Sequence, residues 1–249
     1  MNVSLYQAAA AMNANSRWQE LISDNLAAAS VPGARKQDIS FSSVEAGLPA
    51  GELSRNGERF AIPAAHSSTN FTEGQMQPTG VATDFAIDGP GFFQVQLPTG
   101  NAAFTRNGSF QLNGQGQLVT QQGYTVTSDS GGPVQLDPAN PAPVTVSSSG
   151  EVSQGGEVKG RIRLAEFSDP HQLTVLGGGY FTANNPAVQA TPAKTSQMRQ
   201  GYLEGGNTSP TTEMASLIMA MRMFESNQKV MQMQDDRMGR VITDLGGTS

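Results

Sequence analysis

The C-terminal residues 209–247 read SPTTEMASLIMAMRMFESNQKVMQMQDDRMGRVITDLGG. Apolar side chains recur there in alternating steps of three and four residues, a spacing typical of one face of a long α-helix. Ser209 is a suitable N-cap, Pro210 suits the first helical position, and Gly246 and Gly247 end the helix. The pattern predicts a C-terminal helix over residues 209–246, about 54 Å long. Its apolar line, called the predicted seam below, consists of Met214, Leu217, Met221, Phe224, Gln228, Met231, Asp235, Met238, Ile242 and Leu245.

The N-terminal residues 1–32 contain no glycine and have a similar pattern, which predicts a second terminal helix. Pro32 disfavours a helical conformation at Val31, so we expect the helix to end near Ser30. Trp18 and Leu21 widen its apolar face. The positions on that face are Leu5, Ala8, Met12, Asn15, Gln19, Ile22, Leu26 and Ala29.

The middle of the chain is rich in glycine and in short alternating runs. The stretch from Gly33 to Gly206 holds 25 of the 28 glycines, and each glycine disfavours a helix interior by about 1 kcal/mol relative to alanine. Alternating apolar runs separated by turn residues predict a central all-β domain, an antiparallel sandwich or barrel, over residues 81–182. We expect residues 33–80 and 183–208 to be extended connections. The predicted fold class is therefore α+β, with the long N- and C-terminal helices paired as a coiled-coil-like unit.

The composition argues against most kinds of chemistry. The formal net charge is −6 and no cysteine is present, which disfavours nucleic-acid binding and excludes a thiol nucleophile and a cysteine-based metal site. His66 and His171 are too few for a histidine-rich metal centre. No apolar run is long enough to span a membrane, and the N-terminus does not have the pattern of a cleaved signal peptide. We predict that the protein is not an enzyme and has no cofactor, no bound metal and no small-molecule substrate.

The predicted C-terminal helix is too long for a small β domain to cover. Seven of the 11 methionines lie between Met214 and Met238, and methionine adapts well to irregular protein surfaces. Other copies of the same chain are the simplest partners for this apolar line. The predicted assembly interface consists of Leu5, Met12, Trp18, Ile22, Asn25, Leu26, Met214, Leu217, Met221, Phe224, Met231, Met238, Ile242 and Leu245.

Four stretches resemble motifs of the bacterial flagellar rod and hook proteins. Residues 24–33 (DNLAAASVPG) resemble their NNLAN-x-x-TPGF signature, although Asp24, Ala28, Val31 and Ala34 depart from it. Residues 84–93 (DFAIDGPGFF), 104–110 (FTRNGSF) and 200–207 (QGYLEGGN) are similar to further motifs of the family, in the family's order. The residues that match in the β domain are Asp84, Ile87, Gly89, Gly91, Phe92, Phe93, Thr105, Arg106, Gly108 and Phe110.

The resemblance implies a structural subunit of the periplasmic rod in the flagellar basal body, exported by the flagellar type III apparatus without a cleaved signal. It implies that the terminal helices form an inner tube that transmits torque, with the β domain outside, next to other rod and hook proteins. The residues Leu5-Tyr6, 202–204 and 234–236 most resemble the proximal rod branch, with the distal rod branch as the alternative. A β-rich adhesin or tail-type binding module is a more remote alternative, which would not explain two long terminal helices.

Overall fold

The computed structural model describes residues 3–47, 59–185 and 188–246, and it divides the chain into two compact units. The first unit contains the chain up to Leu26, residues 37–69 and the chain from Pro210. The second unit contains residues 27–36 and 70–209. The terminal helices pack together and the strands between them in the sequence are antiparallel, which confirms the predicted α+β class.

The first unit consists of two helices and one hairpin. Helix α1 (Val3–Ala28) is rich in alanine, the best helix former, and precedes Pro32. Strands β1 (Gln37–Gly47) and β2 (Arg59–Thr69) pair in an antiparallel register, with Gln37 opposite Thr69. Helix α2 (Pro210–Gly246) extends over 37 residues, and the ring of Trp18 on α1 meets that of Phe41 on β1 edge to face at 5.8 Å.

The second unit consists of short strands. Their bounds are β3 Met76–Pro78, β4 Phe85–Asp88, β5 Phe92–Gln96, β6 Ala102–Thr105, β7 Phe110–Leu112, β8 Leu118–Thr120, β9 Thr125–Val126, β10 Val144–Val146, β11 Glu151–Gln154, β12 Glu157–Arg161, β13 Leu164–Glu166, β14 Thr174–Gly177, β15 Tyr180–Thr182, β16 Thr191–Pro192, β17 Gln197–Gln200 and β18 Tyr202–Glu204. The largest sheet has the strand order β14-β15-β6-β5-β9-β8-β7, with β13 and β16 off this path. Strands β10, β11 and β12 form another sheet, and β17 pairs with β4 and β18 with β3.

The core of the second unit is formed by side chains that alternate between the two faces of each strand. On β5, Phe93 and Val95 point to one face and are fully buried, whereas Gln96, on the other face, is exposed. A larger apolar cluster gathers around Phe93, and a smaller one of Phe92, Phe104, Phe167 and Phe181 packs on the other side of β5. Rings of the smaller cluster meet at 4.8 to 5.9 Å, mostly edge to face.

The carboxylate of Glu166 fastens the end of β13 to residues 195–196. Its Oε1 accepts hydrogen bonds from the backbone N–H and the hydroxyl of both Thr195 and Ser196, at 2.8 to 3.0 Å. The hydroxyl of Ser196 accepts in turn from the N–H of Gly91 at 2.8 Å. Burial raises the pKa of Glu166, but the hydrogen bonds from Ser196 and Thr195 outweigh it and lower the pKa to about 2.

We expect Glu166→Gln to make the stability of the protein less sensitive to acid. The pKa of Glu166 in the folded protein lies below its ordinary value of 4.5. The contribution of this carboxylate to the free energy of unfolding is therefore complete above pH 4.5 and is lost as the pH falls toward 2. Urea unfolding between those pH values should show a shallower loss of stability in the variant. The control is Glu157→Gln, an exposed carboxylate paired with Lys159, which should barely change the profile. Equal profiles for wild type and Glu166→Gln would contradict this role.

Candidate functional site

Three charged side chains are buried together in the second unit. Glu204, at the end of β18, lies between Arg35, which follows α1 in the sequence, and Arg106, which follows β6. Nη1 of Arg35 is 2.7 Å from Oε1 of Glu204, and Nη1 of Arg106 is 3.5 Å from Oε2. The side chains of Arg35, Glu204 and Arg106 are 0%, 1% and 2% exposed, respectively. We call these three residues the charge cluster.

Arg106 connects the charge cluster to the motif at residues 84–93. Its guanidinium donates hydrogen bonds to the carbonyl oxygens of Ile87 at 3.3 Å and Gly89 at 2.6 Å, and lies 5.3 Å from the ring centre of Phe92. Burial lowers the pKa of Arg106, Glu204 raises it, and the nearby Arg35 lowers it further. Arginine remains charged under such shifts, so Glu204 supplies the compensating negative charge.

Gly33 allows the chain after α1 to approach the charge cluster closely. Its φ is +67°, in the left-handed region that favours glycine. A Cβ at this position would lie 2.3 Å from the carbonyl carbon of Arg106. The N–H of Gly33 donates to the carbonyl oxygen of Glu204 at 2.7 Å. The motif residues from four distant stretches therefore meet at one place, a convergence that sequence spacing alone does not reveal.

A second polar contact joins the elements of the first unit. The side-chain amide of Asn25 donates to the carbonyl oxygen of Gln37 and its oxygen accepts from the N–H of Gln37, both at 2.8 Å. The same amide lies 3.5 Å from Oε2 of Glu213, in the first turn of α2. Asn25 and Glu213 are both buried. The end of α1 therefore adjoins the start of α2, so the packed helices run in opposite directions.

The inward side of α2 also follows steps of three and four residues, but it lies to one side of the predicted seam. Leu217, Phe224 and Met231 belong to both lines and are half-buried, whereas Met214 and Met221 are about half exposed. Hydrophobic periodicity missed this side because several of its members are polar. The buried face of α2 consists of Glu213, Leu217, Ala220, Phe224, Asn227, Met231 and Gln234.

The other predicted interface residues are distributed as follows. On α1, Ile22 and Asn25 are buried, and Met12, Trp18 and Leu26 are half-buried. Met238 on α2 is 49% exposed. The side chains of Leu5, Ile242 and Leu245 lie outside the described part of the chain. The predicted β-domain residues with side chains, Asp84, Ile87, Phe92, Phe93, Thr105, Arg106 and Phe110, are all buried, and Gly89, Gly91 and Gly108 lie among them.

Another apolar line on α2 is exposed and was not identified in the sequence. Met219 and Met233 are 63% and 58% exposed, and Met223 and Val230 lie between them with 49% and 40% exposure. These four residues, which we call the methionine stripe, again follow steps of three and four residues once Ser226 is included. At 100° per residue the stripe lies about 110° around the helix from the buried face.

The comparisons with known proteins agree with the motifs. Residues 86–154 match the model of the flagellar hook protein FlgE/F/G D1 domain, and residues 199–244 match the C-terminal model of the flagellar basal body rod FlgEFG proteins. The flagellar basal-body rod protein FlgF of Caulobacter vibrioides is 35% identical over 231 residues, 92% of each chain. FlgF of Mesorhizobium japonicum is 32% identical over the full length of both chains. FlgG of Borreliella burgdorferi is 31% identical over 95% of this chain and 96% of its own.

The chain belongs to the flagellar basal-body rod protein family. It is accordingly a structural subunit of the flagellar basal-body rod and not an enzyme, as the sequence predicted. Among residues 3–47, 59–185 and 188–246, no three or more acidic, histidine or cysteine side chains are grouped as a metal site would require. Within the same ranges no helix combines the length and hydropathy needed to cross a membrane.

We expect Glu204→Gln to destabilise this rod protein strongly, because it removes the buried carboxylate that Arg35 and Arg106 share and leaves Arg106 only the half-exposed Glu73. Removing one partner of a buried ion pair costs about 3–5 kcal/mol. The control is Glu73→Gln, because the carboxylate of Glu73 is 48% exposed and 3.7 Å from Arg106; exposed pairs contribute about 0–1 kcal/mol. Urea unfolding of both variants measures the difference, and equal free energies of unfolding would contradict the role of the charge cluster.

Proposed function

We propose that this chain is the proximal rod protein of a bacterial flagellum. It polymerises through its terminal helices into a helical tube that transmits torque, with its β-rich region outside. Its partners are other copies of itself and neighbouring rod and hook proteins, and it reaches the periplasmic rod through the flagellar export apparatus. The distal rod protein is the alternative identity.

The relatives favour the proximal branch. In Caulobacter vibrioides, which has both proteins among the relatives, FlgF is 35% identical and FlgG is 32% identical to this chain. FlgF is the proximal and FlgG the distal member of the family. The residues of Leu5-Tyr6, 202–204 and 234–236 support the same choice. Similarity along nearly the whole chain also argues against the adhesin or tail-type alternative.

The exposed apolar surface of α2 supports polymerisation. Met214, Met221 and Met238 of the predicted interface are about half exposed, and large exposed apolar surfaces mark interaction sites. A helix of 37 residues is about 55 Å long, so it offers a contact surface that extends over many turns. Contacts between different surfaces of successive copies do not close on themselves and produce a helical polymer.

The charge cluster supports a role in carrying load. Arg35, Arg106 and Glu204 join segments far apart in the sequence through ion pairs between side chains that are at most 2% exposed. Buried ionic contacts require one arrangement of the chain, because displacing either partner leaves a charge unpaired. A torque-transmitting subunit needs such a defined shape and needs no reactive group.

Gold-labelled antibodies against this chain, applied to isolated basal bodies, should label the end of the rod farthest from the hook. The contour position of the gold particles along each rod is the measurement, and basal bodies from a strain lacking the protein are the control. Labels confined to the hook-side end of the rod would show the distal identity instead. Absence of label from rods that contain the other rod proteins would contradict rod membership.

A further inference from the structure

Helix α1 and strand β2 enclose an open apolar groove in the first unit. A cavity of about 510 Å³ is lined on β2 by Pro63, Ala64 and Ala65 and on α1 by three alanines and two polar residues, namely Ala9, Ala10, Ala14, Asn13 and Arg17. A second cavity of about 190 Å³ adjoins it through Arg17 and Ala65 and continues to Leu21. We call this combined surface the alanine groove. Its small side chains allow another helix to approach closely.

From this geometry we propose that the alanine groove of one copy receives the methionine stripe of a second copy. The inference rests on the proposed function, because it identifies which surfaces of successive subunits meet. Methionine side chains are flexible and fill irregular apolar spaces, which suits a groove lined by alanine. The stripe cannot be covered by α1 of its own copy, which packs against the buried face instead.

The two surfaces match in length. The α1 side of the groove extends from Ala9 to Leu21, about 18 Å along the helix, and the stripe extends from Met219 to Met233, about 21 Å. A helix lying along the groove would therefore place the whole stripe against it. Such a contact would bury four side chains that are 40% to 63% exposed in the single chain.

The charges at the edges of the two surfaces are complementary. The exposed cations Arg222 and Lys229 border the methionine stripe. Glu20 lines the alanine groove beside Arg17, and the exposed Asp24 follows one helical turn after Glu20, so two carboxylates and one cation occupy this edge of α1. Pairing two methionine stripes would instead bring the cations of both copies together, and it would produce a closed dimer rather than a polymer.

All copies in a rod have the same orientation, and this determines the relative direction of the two helices in the contact. Because α1 and α2 run in opposite directions within one copy, the stripe of the next copy lies antiparallel to α1. The contact joins two different surfaces. In a row of copies, the copy at one end therefore has a free groove and the copy at the other end has a free stripe. Such a row extends without closing.

Cysteine cross-linking tests the contact without competing native thiols in this protein, because the chain contains no cysteine. Two singly substituted copies are expressed together in the same cells, Asn13→Cys in the groove with Ser226→Cys or Val230→Cys on the stripe. After mild oxidation, basal bodies should contain a disulfide-linked dimer with at least one of the two pairs, since such a bond requires the two Cα atoms within about 7 Å. The control pair, Asn13→Cys with Gln228→Cys, should give none, because Gln228 faces the opposite side of α2.

Two results would overturn the contact: basal bodies that contain both substituted copies but form no dimer with either stripe position, and a dimer formed by Ser226→Cys alone. The first result would show that the groove and the stripe of neighbouring copies do not touch. The second would show that the stripes of two copies contact each other. Failure of the proposed function would look different, because the gold label would then lie at the hook-side end of the rod or the chain would be absent from the isolated basal bodies.

Discussion

The contact between Glu204 and the two guanidinium groups of Arg35 and Arg106 is the constraint on which the second unit depends. Glu204 accepts from the N–H of Gly74 at 2.8 Å as well as contacting both arginines. A buried carboxylate is costly unless its partners hold fixed positions, so the strand ends and turns that carry these groups must meet in one arrangement. This explains why Gly33 is present where a side chain would collide with Arg106.

The sequence predicted the elements of this protein better than their contacts. Two glycine-poor ends with apolar residues at steps of three and four predicted the helices, and alternating runs such as Phe93 to Val95 predicted the strands. Hydrophobic periodicity could not identify the whole buried face of α2, because Glu213, Asn227 and Gln234 on that face are polar. Because α2 has methionine on several sides, more than one apolar line with steps of three and four residues can be drawn along it, and the spacing alone does not show which line is buried. The pairing of β1 with β2 and the charge cluster depend on residues far apart in the sequence.

The division of labour between the two units fits a subunit that carries load and performs no chemistry. In the second unit, the aromatic cluster, the charge cluster and the carboxylate of Glu166 use their polar groups within the same chain. In the first unit, α2 leaves apolar surface exposed along its length, and the proposed contact with a neighbouring subunit would cover it. Methionine on this surface tolerates small differences of geometry between successive neighbours. A helical polymer presents such differences wherever one rod protein follows another.

In the rod, we expect the charge cluster to hold the second unit of each subunit together while α2 binds the next subunit. Electron cryomicroscopy of intact basal bodies, at a resolution that shows side chains, would make both contacts visible. We expect this chain in the rod, with Glu204 between Arg35 and Arg106 of the same copy and with the methionine stripe covered by a neighbour. Rod subunits whose methionine stripe faces solvent, or whose Glu204 is separated from both arginines, would contradict this expectation.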